Sequence, residues 1–264
     1  KDIRGKALIN YFSKPCKPTK ANGGRTRNRP SDAPDKWATY IEYNRQDVVV
    51  ERAIRRKLLE LKPPEEEHRY WLLDRWINDN GARINKTLVR NAIQMDADFR
   101  AIMTEKAQRL TGLSNPNSVS QLKAWLEDKI QRPIASLDKK AIAEMLGDSS
   151  LPSIAHEVLV TRQQLGKTSV KKYQAMANAL TRDGRIHGMF QFYGAMRTGR
   201  WAGRIVQLHN LPQNHMELAE LDAARSMVMK GDMEALSLCY HSIPDVLSQL
   251  IRTAIEAEPG HRFI

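Results

Sequence analysis

The sequence predicts an α+β fold, mainly helical with a small antiparallel β-sheet. Three observations carry this. Apolar residues recur at helical spacing through most of residues 35–180 and again beyond 217. Residues 185–193, directly after an Asp183-Gly184 turn signal, alternate apolar and polar in part and read as a strand. The stretch 196–212 packs three arginines and two glycines into eight residues, poor helix and poor core, and supplies the remaining strand material. Its glycines allow close backbone approach, and its arginines offer planar forks suited to phosphates and base edges.

At 264 residues the chain can hold one large domain or two ordinary ones. A net charge of +12 and a pI near 9.8 favour a polyanionic partner, most simply nucleic acid. Cys16 and Cys239 are far apart, which argues against a disulfide framework and fits a reducing cytosol. No apolar run is long enough to span a bilayer, and Lys1 opens no signal-peptide pattern. The start without methionine and the end at Phe263-Ile264, inside an apolar run, read as a piece of something longer.

Taken in order, residues 1–36 are basic and punctuated. Lys14, Lys17, Lys20, Arg25, Arg27 and Arg29 alternate with prolines and the Gly23-Gly24 pair. After a short helix over about 4–13, this predicts a long loop able to lie on phosphates. Residues 35–61 turn helical, with Trp37, Tyr40, Ile41, Val48, Ile54 and Leu58 near one face. Within that helix Tyr43 and Asp47 stand four apart and project from one side. Such a pair suits metal-dependent phosphodiester hydrolysis, with Asp47 as metal ligand and the Tyr43 phenol orienting water. A surface pair on a helix is the plain alternative.

Pro63-Pro64 ends that helix. The next runs over 65–78, with its acidic first turn favourably placed and Tyr70, Leu73, Trp76 and Ile77 on the expected buried side. Asn85 predicts an N-cap for a helix to about 110, and Asn117-Ser118 caps another from Val119. A short helix covers 137–147. One long helix is expected over 153–180, with Val158, Thr161, Leu165, Val170 and Tyr173 inward and Arg162, Lys167, Lys171 and Lys172 outward, a spacing that can track a phosphate backbone. Gly166-Lys167-Thr168 is not an ATP-binding loop, because the leading glycine is missing and the context is helical. Helices follow at 217–230, 233–240 and 243–255.

Residues 198–212 align without a gap to T-G-R-L-S-S-x-x-P-N-L-Q-N-I-P, the pattern of the family A, DNA-polymerase-I-like enzymes. Thr198, Gly199, Arg200, Asn210 and Pro212 match; Ala202, Gly203, Gln207 and His209 depart from it in a way similar to the phage-type branch. Residues 112–126, with asparagine and serine before Gln121-Leu122, resemble the opening of that family's thumb. Gly184-Arg185-Ile186-His187 resembles its thumb-to-palm connection, and Tyr43 with Asp47 resembles the last motif of the proofreading 3′–5′ exonuclease. The resemblance implies the C-terminal part of an RNase H-like exonuclease domain at 1–62, entry helices of the polymerase at 63–111, thumb at 112–184 and partial palm at 185–264.

It further implies a parent that adds deoxynucleotides to a primer 3′ end with Mg2+, whose palm ligands and nucleotide-binding fingers helix lie outside these residues. The chain alone is then expected to bind primer–template DNA but not to polymerise, as a monomer in the cytoplasm of a bacterial or phage-infected cell, with dNTP met only by the parent. Implied DNA contacts are Arg200 first, then Asn210, Gln207, Arg204, Thr198, His209, Lys167, Lys171, Lys172, Asn117, Ser118 and His187. Two other readings stand beside this one, a non-catalytic nucleic-acid-binding helical protein and a nuclease-only relic.

Overall fold

The computed structural model describes residues 4–168 and 170–261. It divides into two compact units, one up to His68 and one from Arg69, so the division falls in the first turn of a helix, α3 (Glu65–Asn80).

The first unit holds α1 (Arg4–Ser13) and α2 (Pro34–Leu58), joined by a loop with short 3-10 turns at Lys20–Asn22 and Pro30–Asp32. Leu8 and Phe12 of α1 are its buried apolar residues. The Phe12 ring meets Trp37 edge-on at 5.0 Å and stacks on Tyr40 at 5.6 Å, which fixes the two helices together. The expected apolar face of α2 closes over only at this end. Ile41, Val48, Ile54 and Leu58 are all exposed.

The second unit is built on α4 (Lys86–Thr111). Leu88, Val89, Ala92, Met95 and Phe99 recur at three- and four-residue steps and are buried. The Asn85 side chain caps its start, accepting from the Leu88 amide at 2.8 Å, and Gly112 ends it in the left-handed region at φ +70°. Around this helix pack α8 (Lys171–Ala179), α9 (Leu218–Lys230), α10 (Met233–Cys239) and α11 (Ile243–Gln249), forming the larger core. A smaller core joins α5 (Val119–Ile130), α6 (Lys139–Leu146) and α7 (Ser153–Leu165) through Leu122, Leu126, Ile142, Val158 and Leu159.

Two small antiparallel sheets complete it. β1 (Ala82–Ile84) lies between β2 (Arg185–Ile186) and β5 (Ile255–Glu256), with Ala82 opposite Ile186 and Arg83 opposite Glu256. β3 (Phe190–Ala195) and β4 (Arg200–Gly203) form a hairpin. The fold is therefore α+β, mainly helical, as the sequence predicts.

Four expectations need correction. The long helix over 153–180 is two helices, α7 and α8. Arg100 of α4 donates to the carbonyls of Leu165 (2.8 Å) and Lys167 (2.7 Å), taking acceptors that a continuing helix would use internally. The strand over 185–193 is broken at 187–189, so that its halves join different sheets. The last helix ends at Gln249 and passes through a 3-10 turn (Leu250–Ala254) into β5. On α3, Tyr70, Leu73 and Trp76 are exposed, and the buried residue is Asp74.

Candidate nucleic-acid interface

Residues 196–199 close the β3–β4 hairpin, with the amides of Thr198 and Gly199 donating to the Ala195 carbonyl at 3.0 and 2.9 Å. Gly199 sits at φ +67°, against the Tyr193 ring, where a side chain has neither the conformation nor the room. Pairing runs Gln191 to Ala202 and then Ala195 to Arg200, so residues 192–194 stand opposite Trp201 alone. Tyr193 in this bulge takes φ +52°.

Two polar residues of α3 hold the hairpin. The Asn78 side-chain amide pairs with the backbone of Phe190 in both directions, at 2.9 and 3.0 Å, as a neighbouring strand would. The Trp201 indole N–H donates to Asp74 Oδ1 at 2.7 Å, and Asn78 donates to Asp74 Oδ2 at 3.1 Å. That explains the buried carboxylate on α3: both its oxygens accept hydrogen bonds. With the indole fixed on one side of β4, the preceding Arg200 is exposed.

Beyond β4 the chain folds back on itself. The Arg204 amide donates to the Met189 carbonyl at 2.7 Å. Ile205 and Gln207 both take left-handed backbone, φ +58° and +53°, while Val206 between them is fully buried. Lys172 of α8 donates to the Val206 carbonyl at 2.6 Å. Left-handed non-glycine residues cost free energy and persist only where their surroundings hold them; here the buried valine and the lysine clamp do so. The His209 ring lies against Gly203, and a Cβ at 203 would overlap it. The Asn210 amide donates to the Gln207 carbonyl at 2.9 Å, and their side chains are 3.5 Å apart. Arg200, Arg204, Gln207, His209 and Asn210 are all exposed. The result is a held loop presenting guanidinium, amide and imidazole groups, the chemistry that reads phosphates and base edges.

The other anticipated contacts are placed differently. Lys167 pairs with Asp245 at 2.6 Å, Lys172 is spent on Val206, and only Lys171 of the three is exposed. The break at Gly166 thus replaces the expected regular stripe of cations. It opens instead a cleft of about 750 Å3 whose lining includes Lys139, Arg162, Lys167, Pro212, Asp245 and Ser248. Ser118 caps α5, accepting from the Gln121 amide at 3.5 Å, and the Asn117 amide donates to Asn115 Oδ1 at 3.1 Å. His187 has Nδ1 at 2.9 Å from the Asp79 carbonyl and Nε2 at 2.9 Å from Asp183 Oδ2, so both ring nitrogens are engaged within the protein. Asp74, Asn78, Lys139 and the left-handed residues carry no signal in the sequence, because what engages them lies far along the chain.

In the first unit, Tyr43 is half-buried with its ring over Gly5, where a Cβ would overlap it, and Asp47 is exposed one turn further along α2. Among the described residues no group of three or more histidine, cysteine, aspartate or glutamate side chains could hold a metal ion. These residues therefore do not fit Mg2+ by themselves, Asp47 offering a single carboxylate. No helix of the described residues is long and apolar enough to cross a membrane.

No family model matches the chain. Over 263 of its 264 residues, the chain is 52% identical to a protein of Bacillus phage SP02. That relative is a DNA polymerase. The chain spans 40% of the length of this polymerase.

Proposed function

We propose that the chain is the part of a DNA polymerase that grips primer–template duplex next to the primer end. The observation that carries this is the 52% identity to a phage DNA polymerase over 263 residues. The exposed guanidinium and amide groups at 200–210 support it, since minor-groove and backbone contacts need donors held in register on a fixed loop. The resemblance of 198–212 to the family A pattern supports reading the polymerase as one of the phage-type branch of that family. In this reading 1–62 ends the exonuclease domain, 63–111 enters the polymerase domain, 112–184 is thumb and 185–264 is palm.

Arg200 contacts the duplex near the primer end, and Arg204, Gln207, His209 and Asn210 extend the contact along the loop. Thr198 lies at the hairpin tip and Lys171 on the exposed side of α8. Tyr43 and Asp47 contribute to a proofreading site whose remaining carboxylates, like the metal ligands and nucleotide-binding residues for polymerisation, come from outside these 264 residues. Acting alone, the chain binds DNA and does not extend it.

The test is made in the full-length polymerase. Asp47→Ala is expected to abolish 3′–5′ removal of nucleotides and to spare primer extension. Retained proofreading would contradict the role given to Asp47. A full-length wild-type protein that extends no primer would contradict the polymerase reading itself.

A further inference from the structure

Arg200 stands where the hairpin's own backbone pairing says least about direction. The ladder pairs Gln191 with Ala202 and Ala195 with Arg200, and it leaves three residues, 192–194, opposite Trp201 alone. Successive strand residues face opposite sides, so a slip of one residue would carry Arg200 to the side that the indole now takes. In a ladder bulged at this point, the side has to be fixed from outside the hairpin.

Helix α3 fixes it. The indole N–H donates to Asp74 Oδ1 at 2.7 Å, and the ring meets Tyr70 and Phe192 edge-on at 6.0 and 5.5 Å. Asp74 is 8% exposed, while Leu73 and Trp76 on the same helix are open to solvent. α3 thus turns a carboxylate inward and leaves apolar side chains outside, the reverse of what burial alone favours. A buried carboxylate carries a desolvation cost that an apolar residue of similar volume would not. What it supplies is a strong, directional acceptor. Asn78 donates to Oδ2 at 3.1 Å and keeps the carboxylate from turning, and Asn78 is itself held by the backbone of Phe190. The contacts run from β3 through Asn78 and Asp74 to the indole and end one residue from Arg200.

We infer that Asp74 and Trp201 are positioning residues for Arg200, locking β4 in the register that presents its guanidinium to duplex DNA. The inference rests on the duplex contact proposed for Arg200. The indole N–H, the ring's one donor, is occupied by Asp74 and is not offered to a phosphate or a base edge. Without the lock the guanidinium is free to take either face of β4, and ordering it on binding then subtracts from affinity.

The experiment measures affinity of the 264-residue chain for a primer–template duplex over a salt series, in a double-mutant cycle of Trp201→Phe and Arg200→Ala. Phenylalanine keeps an aromatic ring and removes the N–H. Trp201→Phe is expected to weaken binding by about five- to tenfold in the wild-type background and by less than about twofold in Arg200→Ala. Its salt slope should fall as that of Arg200→Ala does, although the substitution removes no charge. A second variant, Trp201→Phe/Asp74→Leu, takes away donor and acceptor together and leaves no buried carboxylate short of a partner. It should show the same loss and the same slope. Full affinity in both variants, beside a weakened Arg200→Ala, overturns the inference and leaves the duplex contact standing. Losses that add to that of Arg200→Ala at an unchanged slope overturn it too, since the indole then serves the fold or touches DNA itself. Failure of both variants to fold makes the pair a structural prop and has the same consequence. Unchanged affinity in Arg200→Ala overturns the duplex contact, and the inference with it.

Discussion

At His187 two acceptors, the Asp79 carbonyl and the Asp183 carboxylate, face the two ring nitrogens, an arrangement only the doubly protonated ring satisfies. The hydrogen bond to Asp183 raises the His187 pKa above its ordinary 6.5. Asp183, receiving hydrogen bonds from the Thr181 hydroxyl and from His187, is lowered to about 2. The histidine's contribution to stability is complete below pH 6.5 and is lost as pH rises through the raised value. The aspartate's is complete above its ordinary 3.8 and is lost as pH falls toward about 2. The pair thus stabilises the turn most between these limits. Comparing melting temperatures of wild type and His187→Gln from pH 5 to 9 should show an advantage for wild type at pH 5 that shrinks with rising pH. A pH-independent difference would mean that the charge on His187 does not matter there.

Among elements, α8 is fixed at its first turn by two side-chain to backbone contacts. Lys172 holds the Val206 carbonyl of the loop, and the fully buried Tyr173 hydroxyl donates to the Leu247 carbonyl of α11 at 2.7 Å. Burial pushes the Tyr173 phenol far up, so it remains a donor at any working pH. Tyr173→Phe keeps the ring but strands the carbonyl, at a cost of about 1–3 kcal/mol. Urea unfolding should show that loss, and an unchanged midpoint would mean that water or a shifted backbone satisfies Leu247.

The same scale shows what could be read in advance. Asn85 and Ser118 announce the starts of α4 and α5 because a cap acts within its own turn. The break between α7 and α8 could not be read, since its agent, Arg100, belongs to α4. Nor could the buried Asp74, whose partner Trp201 lies 127 residues on. At the candidate interface the residue types were legible at 198–212, but the left-handed turns at Ile205 and Gln207 were not, because neither side chain favours them.

At the scale of the whole molecule, two basic segments are built differently. One is a loop in the first unit held by its own hydrogen bonds; the other is the 200–210 segment of the second, held by α3 and α8. The larger core carries the second surface and the smaller core stands across a cleft from Pro212, so that a basic wall from Lys139 and Arg162 faces the end of the signature stretch. The central claim is that Arg200 and its neighbours grip duplex DNA, and the most direct measurement is the affinity of the chain for a primer–template duplex over a salt series, wild type against Arg200→Ala. The account predicts tight binding at low salt that weakens steeply as salt rises, and for Arg200→Ala a loss of about 1–3 kcal/mol with a salt slope smaller by about 1 if the contact is to phosphate. Absence of duplex binding at low salt, or unchanged affinity in a folded Arg200→Ala variant, would contradict it.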